Sequence, residues 1–278
     1  MQPKIRLIAL DLDGTLMNRK KEITARTRAV IREATEAGIL VMPATGRPAT
    51  GFPDVLEAIP ECRYALTSNG ALVYDYREQK PIYEDLITVE NGLTVLDFAR
   101  DYDMMVDVYA NGNGYSERRN LENIDHFSFA EGTKEYVRRT RVPVEDMREF
   151  VRAEKIAAEK IVFFFHDPGI KPEMERTLAK RFPFIRTTDA MANNLELNNV
   201  TANKGDSLLR FGALLGISRE EIMAVGDGRN DRDMIVAAGL GVAMANACDA
   251  LKEAADVETL SNDEDGVAAA IAKYALGR

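Results

Sequence analysis

The sequence is poor in the residues that would support several common chemistries. It has two cysteines in 278 residues, Cys62 and Cys248, with no motif spacing between them. That excludes a disulfide framework and a cysteine-rich zinc site, and both read as reduced core thiols. It has two histidines, His126 and His166, and neither stands in a Ser-His-Asp or Cys-His arrangement. Nucleophilic catalysis by an activated hydroxyl or thiol therefore has no visible base. No apolar run approaches the roughly 18 residues of a membrane helix. The longest, Met234 to Ala245, is broken by Gly239 and Gly241. The N-terminus enters a strand pattern at once, without a small-residue cleavage site, so a signal peptide is not expected and a cytoplasmic location is. There is no internal repeat or low-complexity segment.

Charge narrows the partners. The formal net charge is −9, which disfavours nucleic acid and anionic membrane as partners of the whole chain. The basic clusters, Arg118–Arg119 and Arg138–Arg139 with Arg141, read as solvated surface. At 46% apolar residues the chain is able to bury a sizeable core, and its length admits a main domain with a smaller one.

The pattern along the chain divides in three. Ile5–Leu10 is a continuous aliphatic run ending in polar residues, as in a buried parallel strand. A helix capped by Thr24 and ended by Gly38 follows, then a second buried strand at Ile39–Ala44 and a third at Tyr64–Thr67. This alternation is that of an α/β sheet with right-handed crossovers. After a hairpin at 72–83 the rhythm changes. Aromatic-rich strands at Met105–Tyr109, Ile161–Phe165 and Phe184–Thr187 alternate with charged helices, as in a separate small α+β domain. After Leu195 the first rhythm returns, with a helix from Asn203, a capping box at Ser218 and Glu221, and strands at Ile222–Val225 and Leu240–Met244. The expected organisation is a discontinuous Rossmann-like parallel core, residues 1–85 and 195–278, interrupted by an α+β insertion, 86–194.

Four polar clusters fall at the ends of core segments: Asp11-Leu12-Asp13-Gly14-Thr15, Thr45-Gly46-Arg47, Asn203-Lys204-Gly205 and Gly226-Asp227-Gly228-Arg229-Asn230-Asp231. In an open parallel sheet the carboxyl ends of the strands share one edge, so these clusters are expected to converge. Asp11, Asp13, Asp227 and Asp231 concentrate hard oxygen ligands that repel one another unless a cation binds, and Mg²⁺ suits such a set. Lys204, the Thr45 hydroxyl and glycine-flanked N–H groups offer the anion-binding half. A cation beside anion donors points to phosphoryl transfer with a carboxylate as nucleophile. Asp11 and Asp13, two apart, are able to leave a strand end on one side, one attacking and one handling protons.

These residues resemble the motifs of the haloacid dehalogenase-like hydrolases, and within them the Cof-type phosphatases with a C2B cap. DLDGTL (11–16), ATGR (44–47), NKG (203–205) and GDGRND (226–231) match the four motifs in order, and SNGA (68–71) is similar to this subgroup. The resemblance covers the whole chain. It implies Asp11 as nucleophile and Asp13 as general acid/base. It also implies Asp11, the Asp13 carbonyl and Asp227 on Mg²⁺, with Asp231 supporting that shell. Thr45, Gly46, Lys204 and Asn230 would hold the phosphoryl group. Asn193 and Asn194 read first as turn residues, with leaving-group contact as the alternative. The substrate implied is a small phosphorylated metabolite, such as a sugar phosphate or a cofactor phosphate, acted on by a monomer or small homo-oligomer. A phosphomutase and a non-catalytic binding protein remain alternatives.

Overall fold

The computed structural model describes residues 4–127, 129–189 and 191–278. The leading Met1–Pro3, part of the N-terminal reading, lies outside them. The described chain gathers into two compact units.

The first unit comprises the chain up to Arg47, Phe52–Tyr83 and the chain from Asn203 onward. Its centre is the strand Leu7–Leu10, whose four residues are fully buried. They do not alternate in polarity because both faces of the sheet are covered. This strand pairs in parallel with Leu40–Pro43 on one side and Ile222–Gly226 on the other. Leu240–Ala243 and Val257–Glu258 extend the sheet in parallel. Tyr64–Thr67 approaches Leu40–Pro43 through the bridge from Ala44 to Leu66, and then begins a three-stranded meander with Leu72–Asp75 and Lys80–Glu84. The helix Ala25–Glu36 starts at Thr24, whose hydroxyl accepts from the Thr27 N–H at 3.1 Å. It turns Ile31 and Ala34 into the core and ends at Gly38, in the left-handed region at φ 82°. Cys62 and Cys248 are free, and burial pushes the Cys62 thiol up to about 12.

The second unit comprises Pro48–Gly51 and Glu84–Ala202. Its six-stranded sheet runs, edge to edge, Ile185–Thr188, Asn194–Asn199, Lys160–Phe165, Met104–Ala110, Asn113–Glu117 and Arg141–Val144. All pairs are antiparallel except the last. Alternation along Lys160–Phe165 serves two cores. Phe163 and Phe165 pack with residues of the helices Val89–Ala99 and Lys171–Arg181, whereas Val162 and Phe164 pack with Ile124, Phe127 and Val137.

Two expectations are corrected here. The first unit does not resume at residue 195, because Asn194–Asn199 is a strand of the second unit, paired on both sides, with Leu195 and Leu197 in its core. Arg141 is not a solvated surface residue. Its side chain is 3% exposed, and it pairs with Asp107 and donates to the Tyr109 hydroxyl. Arg118, Arg119 and Arg138 are exposed, at 51%, 79% and 45%. Removing one partner of a buried pair strands the other charge. Arg141→Ala is therefore expected to destabilise the protein by about 3–5 kcal/mol, read as a lowered urea midpoint. A midpoint equal to wild type would contradict a buried pair.

Candidate active site

The carboxyl edge of the parallel sheet gathers the polar clusters. Asp11 directly follows Leu7–Leu10, Asp227 directly follows Ile222–Gly226, and Thr45 lies two residues beyond Leu40–Pro43. The Asp11 N–H donates to the Val225 carbonyl at 3.0 Å, so the first two loops are joined at their roots. Lys204 opens the helix Lys204–Leu214, which Asn203 caps by accepting from the Asp206 N–H at 2.8 Å.

Asp11, Asp227 and Asp231 bring carboxylate oxygens within 4.8 Å of one another. Between two of them lies the Lys204 ammonium, 2.7 Å from Asp11 Oδ1 and 2.6 Å from Asp231 Oδ1. The Lys204 side chain is fully buried. Burial alone would disfavour its charge, but Asp11 and Asp231 raise its pKa above the ordinary lysine value. The second oxygen of Asp231 accepts from the N–H groups of Asp227 at 3.0 Å and Gly228 at 2.9 Å. Both its oxygens are thus engaged in holding the loop and the lysine. Asp227 accepts from the Thr15 hydroxyl at 2.7 Å. Gly14 permits that approach: its φ is +89°, and a Cβ there would lie 2.3 Å from an Asp227 oxygen.

When all three carboxylates are ionised, they exceed the one ammonium by two negative charges, 3 − 1, among these four buried or half-buried groups. An oxygen-only donor set with that excess fits a hard divalent cation such as Mg²⁺. Asp13 is neutralised separately. Arg47 reaches it through Nη2 at 2.7 Å and Nε at 3.0 Å, and Lys21 Nζ lies at 2.7 Å. Burial would raise the Asp13 carboxyl, yet Arg47 and Lys21 hold it below its usual range.

The structure therefore brings together Asp11, Lys204, Asp227 and Asp231, with Asp13 beside them on the same loop as Asp11. Thr45 and Gly46 flank this group on the neighbouring strand end. The Thr45 hydroxyl accepts from the Arg47 N–H at 3.1 Å. Asn230, half-buried, directly precedes Asp231. Asn193 and Asn194 are buried in the second unit, where Asn194 accepts from the Met191 N–H at 2.8 Å, a local turn contact. The contact of Thr15 with Asp227, the reach of Lys21 and the grip of Arg47 on Asp13 were not legible in the sequence. Arg47 and Thr15 had a visible signal in their places in the strand-end clusters, and Lys21 had none. The sequence also left the two histidines without a role, and they meet Asp103 in the second unit. Their rings stack 4.0 Å apart with planes 3° from parallel. His126 Nε2 lies 2.9 Å from both oxygens of Asp103, and His166 Nδ1 lies 2.6 Å from the His126 carbonyl oxygen.

A family description of haloacid dehalogenase-like hydrolases matches residues 8–271. The chain belongs to that family. Among its relatives is the 5-amino-6-(5-phospho-D-ribitylamino)uracil phosphatase YcsE of Bacillus subtilis (strain 168). The two are 33% identical over 272 residues, covering 98% of this chain and 96% of that protein. Phosphatase YwpJ of the same organism is 29% identical, covering 95% and 98%. The crystal structure of a haloacid dehalogenase-like hydrolase from Bacteroides thetaiotaomicron superposes with a TM-score of 0.83. It is 31% identical and covers 97% of this chain and 99% of that one. The fold of this hydrolase, a parallel α/β core with additional sheets, is the family's.

Burial and then Asp231 push the Asp11 carboxyl up to about 8, with Lys204 opposing. Burial pushes Asp227 up to about 6, with Thr15 opposing. A carboxyl whose folded pKa is raised stabilises the fold fully below its unfolded pKa, and that contribution is lost as pH rises through the folded value. Without metal, the wild-type Tm is therefore expected to fall between about pH 4 and 8, and the Asp11→Asn variant to show a shallower fall. Coincident pH profiles for the two would contradict the placement of Asp11 in this carboxylate cluster.

Proposed function

We propose that this chain is a Mg²⁺-dependent phosphatase that hydrolyses phosphomonoesters of small metabolites through an aspartyl phosphate on Asp11. The observation that carries this reading is the buried Lys204 ammonium held between Asp11 and Asp231, with Asp227 completing the carboxylate group. Asp11, the Asp13 carbonyl and Asp227 would hold the metal, and Asp231 would orient this set through Lys204 and the Asp227 N–H. When bound, Mg²⁺ offsets the charge that builds on the transferring phosphoryl group.

One carboxylate oxygen of Asp11 attacks phosphorus, and the ester P–O bond breaks with its electron pair on the leaving oxygen. Asp13 gives that oxygen a proton. Water then attacks the phosphorus of the aspartyl phosphate and yields a proton to Asp13, and the bond to Asp11 breaks to release orthophosphate. Thr45, the Gly46 N–H, Lys204 and Asn230 hold the phosphoryl oxygens throughout. Arg47 and Lys21 keep Asp13 ionised, so carrying a proton requires them to release it as the ester binds. Residues 84–202 are the cap, whose side chains select the leaving group.

The similar Bacillus subtilis protein is named for a phosphoribitylamino compound, which supports a sugar-phosphate-like ester as substrate class. The phosphomutase alternative has no favouring observation. The test is phosphate release from a panel of phosphorylated metabolites with Mg²⁺. Wild type is expected to turn over at least one ester, to stop with EDTA and to recover with Mg²⁺. Asp11→Asn is expected to be inactive yet folded, and Lys204→Ala to lose about 10²-fold or more in kcat/KM. Substantial residual turnover by Asp11→Asn would remove it as nucleophile. Asp13→Asn is expected to slow alkyl phosphates far more than p-nitrophenyl phosphate, and equal losses on both would contradict its acid role.

A further inference from the structure

The segment Ser68–Asn69–Gly70 stands outside the chemistry described so far, yet it is buried and its backbone is unusual. Its residues have φ of 51°, 61° and 99°. Three consecutive left-handed residues, two of them bearing side chains, persist only where the surroundings enforce them. The contacts on its two sides show what does so. On one side, the Ser68 N–H donates to the Arg47 carbonyl at 2.9 Å and the Asn69 N–H to the Thr45 carbonyl at 3.1 Å. The Thr45 N–H donates in turn to Leu66 at 2.8 Å. On the other side, the Gly70 carbonyl accepts from the Ser207 hydroxyl at 2.6 Å, in the first turn of the Lys204 helix. Gly70 also lies flat against the start of that helix. A Cβ on it would stand 2.4 Å from the Asn203 carbonyl oxygen and 2.9 Å from the Lys204 nitrogen.

We propose that Ser68–Asn69–Gly70 is a positioning clamp that fixes the Thr45–Gly46–Arg47 loop relative to Lys204, and thereby sets the rate of phosphoryl transfer. This rests on the phosphatase reading. The left-handed turn is what lets one short segment present two N–H groups to one loop and a bare Cα with a carbonyl to the other. Any side chain at position 70 must push the Asn203–Lys204 backbone away. Ordinary contact begins at 3.4 Å, so the displacement needed is about 1 Å, enough to cost on the order of 10²-fold in a site built on positioning.

The experiment compares Gly70→Ala with Gly216→Ala using p-nitrophenyl phosphate and Mg²⁺ well below each variant's Tm. Gly216 is also left-handed, at φ +65°, but has nothing within 4 Å of its would-be Cβ. It carries the backbone strain without the push. Gly70→Ala is expected to lower kcat by at least tenfold, whereas Gly216→Ala stays within twofold of wild type. Ser207→Ala removes only the hydroxyl bond to Gly70 and serves if Gly70→Ala does not fold; its kcat is expected to fall about three- to tenfold with KM little changed. Wild-type kcat in Gly70→Ala, or in Ser207→Ala if that is the folded variant, would overturn the clamp, as would equal kcat losses in Gly70→Ala and Gly216→Ala. A wild type without phosphatase activity would instead overturn the reading beneath it.

Discussion

The buried Lys204 ammonium, shared by Asp11 and Asp231, is the interaction on which the rest of this structure depends. Its three members come from chain segments separated by 193 and 27 residues. A lysine with no exposed side-chain surface is tolerated only because two carboxylates face it. Those carboxylates in turn would repel each other and Asp227 without it. The parallel sheet makes the meeting possible by placing two strand ends side by side, and the capped helix brings the lysine from the other side. The negative charge left over, beyond what Lys204 offsets, is what suits the cluster to a divalent cation.

Much of this was legible in the sequence because it is written in local patterns. Continuous apolar runs ending in polar residues marked the strands around Asp11, Thr45 and Asp227. Thr24 and the Ser218–Glu221 pair marked element starts, and the structure contains both caps. Less legible were features set by pairing across the chain. Asn194–Asn199 reads as the return of the first pattern, yet its partners are Ile185–Thr188 and Lys160–Phe165. Arg141 follows two other arginines and looks solvated, but the alternation of its strand turns it onto Asp107 and Tyr109. Lys21 lies eight residues from Asp13 in a polar loop, and no spacing rule predicts that its ammonium reaches back to that carboxylate.

Strain and close approach concentrate beside the same site. Gly14 makes room for Asp227, Gly70 for Asn203 and Lys204, and Gly226 for Asp231, whose Cβ would lie 2.6 Å from an added methyl. These positions hold loops against one another with little slack. Such rigidity suits a reaction in which the protein contributes chiefly position and charge. The ion pairs on Asp13 are different in kind. They are partly exposed, and their disengagement is compatible with proton transfer.

The central claim is that Asp11 and Asp227 share one divalent cation beside Lys204. It is tested most directly by the anomalous signal of Mn²⁺ soaked into crystals of the protein in place of Mg²⁺. The account predicts a peak within bonding distance of both Asp11 and Asp227, with Asp231 still on Lys204. A peak only at Asp103, His126 and His166, or none near Asp11 at saturating Mn²⁺, would contradict it.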